Sequence, residues 1–425
     1  MALTREPDLG QPHQREPAFV PTDMQHPASD VRLVGFRYHP AIGGAEEYAR
    51  RLLREIGDRL SIDVATVVTA NRTDWLRLLI GGVRDHEERY LVDGRAVRAL
   101  PRWRPATRRR LNLLSPLYHL PRSPVPGLMG RILAGELAGV VAAASIIHNV
   151  FMGREAFSLG LLLATRRAGG RFVFTPLWHQ RPLGWSSPAF VELYGAADRV
   201  VAMTNVEADW LVAHGTPRGN VRVIPIGPMN DPDASAAPAR GLLGDRQIVL
   251  FLGQLHEYKG YRQLLAATER FTDRRDVLFV FAGPDLRGHA GIFRNAPANV
   301  RYLPSVDDAM RNSLLQACSL LCVPSSRESF GLVAVEAWSC GKPVIGGLAA
   351  ATRELIDDGV DGWVVAQDVT SIAARLRTLL DNPDLAREMG AQGRAKVQAR
   401  FSWPTIASDY LRLYEELGVT PRSSS

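Results

Sequence analysis

From Val31 onward, short runs of β-branched and aromatic residues alternate with longer stretches whose apolar positions recur every three or four residues. "VRLVGF" opens the series, and in "AEEYARRLLREIGDRL" the residues Tyr48, Leu52, Leu53, Ile56 and Leu60 fall on one face at helical spacing. "IDVATVV", "SIIHNV", "RFVFT", "DRVVAM" and "VRVIPI" read as further strands. This succession predicts a doubly wound parallel sheet. Near Gly227 the pattern breaks into "GPMNDPDASAAPARGLLGDR", whose Pro, Gly, Ala and Asp content predicts a linker over 229–246. A second series follows with "QIVLFLG", "VLFVFAG", "VRYLP", "SLLCV" and "KPVIGG". The fold class expected is therefore α/β, with two Rossmann-like domains over 31–228 and 247–400 facing a cleft. Ligands of such sheets bind at the carboxyl ends of the strands. The loops after "FLG", "FAG" and "LLCVPSS" should then converge on one crevice.

A chain of 425 residues is too long for one ordinary core, which agrees with two domains. The formal charge of +7 favours acidic partners such as phosphorylated ligands, anionic lipid or nucleic acid. Nucleic acid rests on that charge alone and is set aside. Cys318, Cys322 and Cys340 form no CxxC pair, which fits a reducing compartment and argues against a disulfide framework or a zinc site. Residues 1–30 lack the apolar centre of a signal peptide and read as a disordered tail, as do 419–425. The longest apolar run, "LAGVVAAASII", is too short to span a bilayer. A cytoplasmic protein is expected, with any membrane contact peripheral at the inner face.

Chemistry concentrates in "SSRESFGLVAVEAWSCGKPVIGG", residues 325–347. A strand ending at Pro324 leads into a helix closed by Gly341, so Glu328 lies in the loop ahead of the helix. Glu336 lies among Leu332, Val333, Val335 and Trp338, roughly 7 to 8 Å beyond Gly331 at helical rise. The free amides of the first turn lie between the two acids and attract anions, phosphate above all. The array reads acid, anion site, acid, and a nucleotide-sugar has that shape. The alternative is a Glu336 bonded to neighbouring backbone or to an Arg, and a solvated Glu328. In "FLGQLHEYKGYRQLLAA", Lys259 stands at a helix entrance beside a Gly turn, a place suited to neutralising a diphosphate. Asp285 lies in the next strand-end loop, "FAGPDLRG".

These parts occur in an order that closely resembles the retaining glycosyltransferases of family 4, with the two-domain GT-B fold. The carrying residues are "GQLHEYKG", "FAGPD", "VPSSRESFGLVAVEAWSCGKPVIG" with its paired glutamates, and "ELIDDGVDGWVV". The N-terminal half adds "HPAIGGAEEYARRL", "FTPLWHQ" and "ADRVVAMTNVEADWLVAHG". The resemblance implies a sugar transferase whose donor is a nucleoside-diphosphate sugar and whose acceptor is a hydroxyl of a glycolipid, polysaccharide or small glycoside. It implies that Glu336 holds the ribose, that Glu328 faces the donor sugar, and that backbone of Phe330, Gly331 and Leu332 contacts sugar and phosphate. Lys259 would bind the diphosphate, Leu303 and Pro304 would frame the base, and Gly43 and Gly44 would admit the diphosphate from the other domain. His179 matches the histidine near sugar and acceptor, and His148 is a poorer candidate. Residues 401–418 fit a final helix crossing back to the first domain.

No metal or other cofactor is implied, and no Asp-x-Asp occurs in a plausible strand-end loop. Departures from the family pattern bear on the donor. Gln254 stands where an Arg usually shares the diphosphate, which leaves one positive charge missing unless a group such as Arg262 compensates. Ile226 replaces a common Asn, and "GLAAATREL" carries alanines where glycines are usual. Gln254 also keeps open a catalytically impaired partner or binding subunit. A dinucleotide-dependent oxidoreductase is a third class, but no GxGxxG with a following acid appears after the first strand. On the acceptor side, "VRALPRWRPATRRRLN" holds six arginines from Arg98 to Arg110 and no acid. It reads either as a solvated basic loop or, with Trp103 and Leu111, as a seat on anionic membrane.

Overall fold

The computed structural model of the chain describes residues 29–41, 43–178, 184–286 and 288–422. Among these residues, fourteen strands form two sheets. The first comprises β1 (Ser29–Arg37), β2 (Ile62–Val68), β3 (Glu88–Val92), β4 (Arg95–Ala99), β5 (Ala144–Val150), β6 (Arg171–Thr175), β7 (Arg199–Ala202) and β8 (Val221–Val223), in the order β3-β4-β2-β1-β5-β6-β7-β8. Among the described strands of this sheet, only β3, paired with β4, runs antiparallel. The second comprises β9 (Gln247–Leu252), β10 (Val277–Ala282), β11 (Val300–Leu303), β12 (Leu320–Val323), β13 (Val344–Gly347) and β14 (Gly362–Val365), in the order β11-β10-β9-β12-β13-β14 and wholly parallel. All six residues of β10 are buried, as a strand covered by helices on both faces requires. Strand order reverses between β1 and β5 in one sheet and between β9 and β12 in the other, and crevices open at such reversals.

Several expected boundaries shift. The expected tail over 1–30 lies outside the described residues up to residue 28, whereas Ser29 and Asp30 belong to β1. The stretch read as a linker, 229–246, carries the helix Ala237–Leu243. Ala239 and Leu243 are buried there, and the Ala239 amide donates to Ser313 Oγ at 3.0 Å. Its proline sits in the first turn, where a missing N–H costs nothing, so the composition that suggested a linker is compatible with a helix. The tail expected over 419–425 is ordered as far as it is described: Val419 is buried, and the Arg422 amide donates to Arg59 O at 2.8 Å. Residues 423–425 lie outside the described residues.

The helix Trp403–Glu415 packs on the helix Gly44–Ile56 of the first domain. Its tyrosines join a fully buried polar chain. The Tyr410 hydroxyl bonds that of Tyr48, and the Tyr414 hydroxyl lies 2.7 Å from His148 Nδ1, while His148 Nε2 lies 2.8 Å from Thr175 Oγ1. Burial pushes the His148 imidazole down to about 3, so it is neutral in the fold at physiological pH. Every member of the chain is bonded, the condition under which a buried polar network fixes one packing. The two stretches joining the domains lie side by side. Trp403 Nε1 donates to Pro228 O at 2.9 Å, and a Cβ on Gly227 would lie 2.8 Å from the Trp403 ring. Arg51 donates to the carbonyls of Pro228 and Met229 at 3.0 and 2.6 Å.

Candidate functional site

At the strand reversal of the second sheet, the loops after β9 and β12 are fastened to each other. The Ser326 amide donates to Tyr258 O at 2.8 Å, and Gln367 Nε2 bridges Tyr258 O and Pro324 O at 3.1 and 2.9 Å. Gly260 adopts φ +75°, and a Cβ there would lie 2.6 Å from Pro324 O. Only glycine combines that backbone with that approach. The outcome is a direct ion pair between Lys259 Nζ and Glu328 Oε1 at 2.5 Å, both side chains mostly buried. Immediately after it, Gly331 turns at φ +97° into the helix Leu332–Ser339, with no side chain capping its first amides. Gly331 and Leu332 are partly exposed there, while Phe330 is buried against Phe401. Thus Lys259, Glu328 and the leading amides of that helix do come together.

Glu336 does not share that opening. Its side chain is fully buried, with one oxygen paired to Arg311 and the other accepting the Met229 amide at 3.2 Å. Burial pushes its pKa up, and the Arg311 guanidinium opposes that rise. The contacts are those of the alternative open from the sequence, neighbouring backbone and an Arg, and they lie beneath the segment that joins the domains. Asn230 extends the cluster, accepting from Ser339 Oγ at 3.1 Å and approaching Cys340 Sγ at 3.1 Å. Arg311 escaped sequence reasoning because an exposed-looking Arg in "DDAMRNSLLQA" gives no local sign of a partner 25 residues on.

Other expected donor residues are placed as follows. Gln254 is exposed at the start of the β9 loop. Asp285 Oδ2 accepts the Ala290 amide at 2.6 Å and so braces its own loop. Leu303 is half-buried at the end of the edge strand β11, its carbonyl accepting the Gly283 amide at 3.0 Å. The loops after β9 and β10 also touch backbone to backbone, since a Cβ on Gly283 would overlap the Gly253 carbonyl.

On the facing domain, Gly43 lies where any Cβ would strike Arg37 and Glu46, whereas Gly44 has nothing within 4 Å of that position. Arg37 and Glu46 form a 2.5 Å ion pair, and the Arg37 guanidinium lies 5.2 Å from the Trp75 ring centre. That pair was not foreseen. The candidate His179 lies outside the described residues. Its predecessor Trp178 donates its amide to Glu207 Oε1 at 3.1 Å, and Glu207 Oε2 accepts the Met203 amide at 2.8 Å. Burial pushes the Glu207 carboxyl up to about 7. His148 is enclosed in the polar chain described above and does not face the cleft.

Across the cleft, the Glu354 carboxylate accepts the amides of Asn205 and Val206 at 2.8 and 3.0 Å, and Asn205 Nδ2 at 2.8 Å. An anion at the amino end of the helix Asn205–Ala213 is favourably placed. Beside this clasp a cavity of about 240 Å³ is lined from both domains, by Thr204, Pro225, Phe330, Glu354, Arg400 and Asp409 among others. Among the described residues, no group of three or more His, Cys, Asp or Glu side chains is arranged to hold a metal ion.

The run from Arg98 to Arg110 divides into two parts. Arg98 belongs to β4 and pairs with Glu87, Arg102 pairs with Asp85, and Arg104 pairs with Glu136, at 2.6, 2.9 and 2.9 Å. Trp103 and Leu111, expected at a membrane seat, are buried. Arg102 and Arg104 stay exposed despite those pairs, and Arg109 and Arg110 on the helix Pro105–Leu114 are exposed as well, as are Leu113, Leu117 and Leu120.

Comparison with known proteins matches residues 235–396 to the family described as glycosyl transferases group 1, and residues 43–227 to a glycosyl transferase 4-like domain. Among curated proteins, a D-inositol 3-phosphate glycosyltransferase of Streptomyces avermitilis is 34% identical over 246 residues, covering 53% of this chain and 53% of that protein. A phosphatidyl-myo-inositol mannosyltransferase of Mycobacterium tuberculosis is 35% identical over 204 residues, covering 45% of this chain and 53% of that protein. The chain thus spans about half the length of the curated relatives it matches. Among solved structures, Anabaena Alr3699/HepE in complex with UDP superposes with a TM-score of 0.66 at 18% identity, covering 91% of this chain and 100% of that one. Sucrose-phosphate synthase from Thermosynechococcus elongatus gives 0.65 at 21%, covering 91% and 98%. At these identities the likeness is one of fold, two facing α/β domains.

Proposed function

The chain belongs to the glycosyl transferases of group 1, and from that membership we propose that it transfers a hexose from a nucleoside-diphosphate sugar to a hydroxyl acceptor, with retention at the anomeric carbon and without a divalent metal. The observation that carries this reading is the junction of Lys259, Glu328 and the uncapped amides leading from Gly331, gathered at the strand reversal and facing a second domain. A diphosphate placed there meets an ammonium and free N–H groups, which stabilise the charge that grows on the leaving oxygen as the glycosidic bond breaks. Glu328 is positioned to accept from sugar hydroxyls once Lys259 turns to phosphate. The departing phosphate oxygen takes the proton of the acceptor hydroxyl on the face where the new C–O bond forms. Anabaena Alr3699/HepE, of the same fold, is described with UDP and with UDP-glucose, which agrees with a donor of this class.

A thermal-shift screen with UDP-, GDP-, ADP- and TDP-sugars tests the donor, because a ligand of the folded form raises its melting temperature. At least one is expected to stabilise the protein and to be turned over in the presence of a chelator. A product of inverted linkage would eliminate the retaining mechanism, and binding without any transfer or hydrolysis would leave a sugar-nucleotide-binding subunit instead.

The acceptor is read as a molecule presented at an anionic lipid surface, because of one patch. No acid occurs between Asp93 and Glu136, and within that stretch Arg109, Arg110 and Arg122 are exposed beside Leu113, Leu117 and Leu120, with Leu113 80% accessible. No described helix is long and apolar enough to cross a membrane, so the contact proposed is superficial. Each Arg near an anionic surface contributes about 1 kcal/mol, so Arg109→Ala with Arg110→Ala should weaken sedimentation with phosphatidylglycerol vesicles about 30-fold at low salt. Absence of wild-type binding to such vesicles would retire the surface.

A further inference from the structure

We infer that Arg327 supplies the second cation of the diphosphate site, in compensation for the uncharged Gln254; the inference rests on the nucleoside-diphosphate reading above. Two observations lead to it. The first is a charge deficit, since Lys259 is already held by Glu328 at 2.5 Å and Gln254 adds nothing. A diphosphate carrying two negative charges needs more than one partly neutralised ammonium.

The second observation is placement. The Arg327 guanidinium lies 5.1 Å from the centre of the Tyr258 ring, and Lys259 Nζ lies 5.5 Å from the same centre. Both cations therefore lie near one ring, where the β9 and β12 loops are fastened. The Ser326 amide, one residue before Arg327, bonds the Tyr258 carbonyl and so ties Arg327 to the loop that carries the ring. No carboxylate within the described residues pairs with Arg327, whose neighbour Glu328 is engaged by Lys259. Stacking on a tyrosine leaves the guanidinium's N–H groups free, and their planar fork matches phosphate oxygens in pairs. Arg262, the other cation nearby, is worse placed. It stacks on Tyr261 instead, and Glu257 approaches it at 3.8 Å and offsets its charge.

Calorimetric titration with UDP, GDP, ADP and TDP, each beside its monophosphate, tests the assignment. For whichever diphosphate the wild type binds, Arg327→Ala should weaken binding at least about tenfold, as loss of a charged hydrogen-bond pair does, and weaken the monophosphate less than about threefold. Adding Gln254→Arg to Arg327→Ala should restore most of the diphosphate affinity. Unchanged diphosphate affinity in Arg327→Ala, or a loss seen in Arg262→Ala instead, overturns the assignment alone. Wild-type protein that binds none of the four overturns the donor reading and this assignment with it. Arg327 is exposed, so an unchanged melting temperature in the variant shows that the fold is intact.

Discussion

Lys259→Ala is expected to lower turnover at least about 100-fold, because it removes the one ammonium placed to meet charge developing on the leaving diphosphate. The loss should fall on the maximal rate as well as on donor affinity, since charge on the bridging oxygen is greater in the transition state than in the bound donor. Removing Lys259 also frees Glu328, a carboxylate only 13% exposed, which would then repel the donor phosphates. The double variant Lys259→Ala with Glu328→Gln should therefore bind the nucleoside diphosphate better than Lys259→Ala alone. Such coupling is the signature of two groups in direct contact. Steady-state rates at saturating donor, beside melting temperatures, make the comparison, and a wild-type rate in Lys259→Ala would mean that the chemistry lies elsewhere.

Glu336→Ala is expected to have the larger effect on stability. It strips Arg311 and the Met229 amide of their acceptor at once. Losing one partner of a buried pair costs roughly 3–5 kcal/mol, and the lower end applies here because Arg311 keeps 24% of its side chain exposed. Glu336→Gln retains an acceptor for Met229 and should lose about half as much. Chemical denaturation measures both. Turnover in Glu336→Ala should still fall at least about 100-fold, because the segment pinned to this carboxylate aligns the domains across the cleft. If Glu336→Gln instead kept full stability while losing nucleotide affinity, the ribose role implied by the family pattern would outweigh the internal pairing.

How far the sequence spoke depends on the range of the interaction concerned. Strands such as Val277–Ala282 are buried on both faces and announce themselves as unbroken apolar runs. The edge hairpin Glu88–Val92 and Arg95–Ala99 did not, since its arginines serve carboxylates that only the fold brings near, as Arg98 serves Glu87. The helix Ala237–Leu243 was hidden by composition, because alanine and proline signal a loop until a neighbouring helix covers them. The same limit governs the site. Lys259 and Glu328 were each visible at a strand end, but their pairing depends on Gly260 and Tyr258 fastening two loops 69 residues apart. The pairing of Glu336 with an Arg was open as an alternative, and Arg311 itself was not named because its helix comes into register only through packing. Where Glu354 reaches across the cleft, nothing in "TRELID" marks the amides that it meets.

The docking of Trp403–Glu415 on the first domain has a consequence for biosynthesis. While the ribosome is still making the second half, the face of Gly44–Ile56 that carries Tyr48 has no cover, and His148 Nδ1 lacks the Tyr414 hydroxyl. An amino-terminal half waiting in that condition exposes apolar surface through some two hundred further residues of translation, a period in which chaperones and aggregation compete for it. The last packing of the first domain therefore waits for residues past 400.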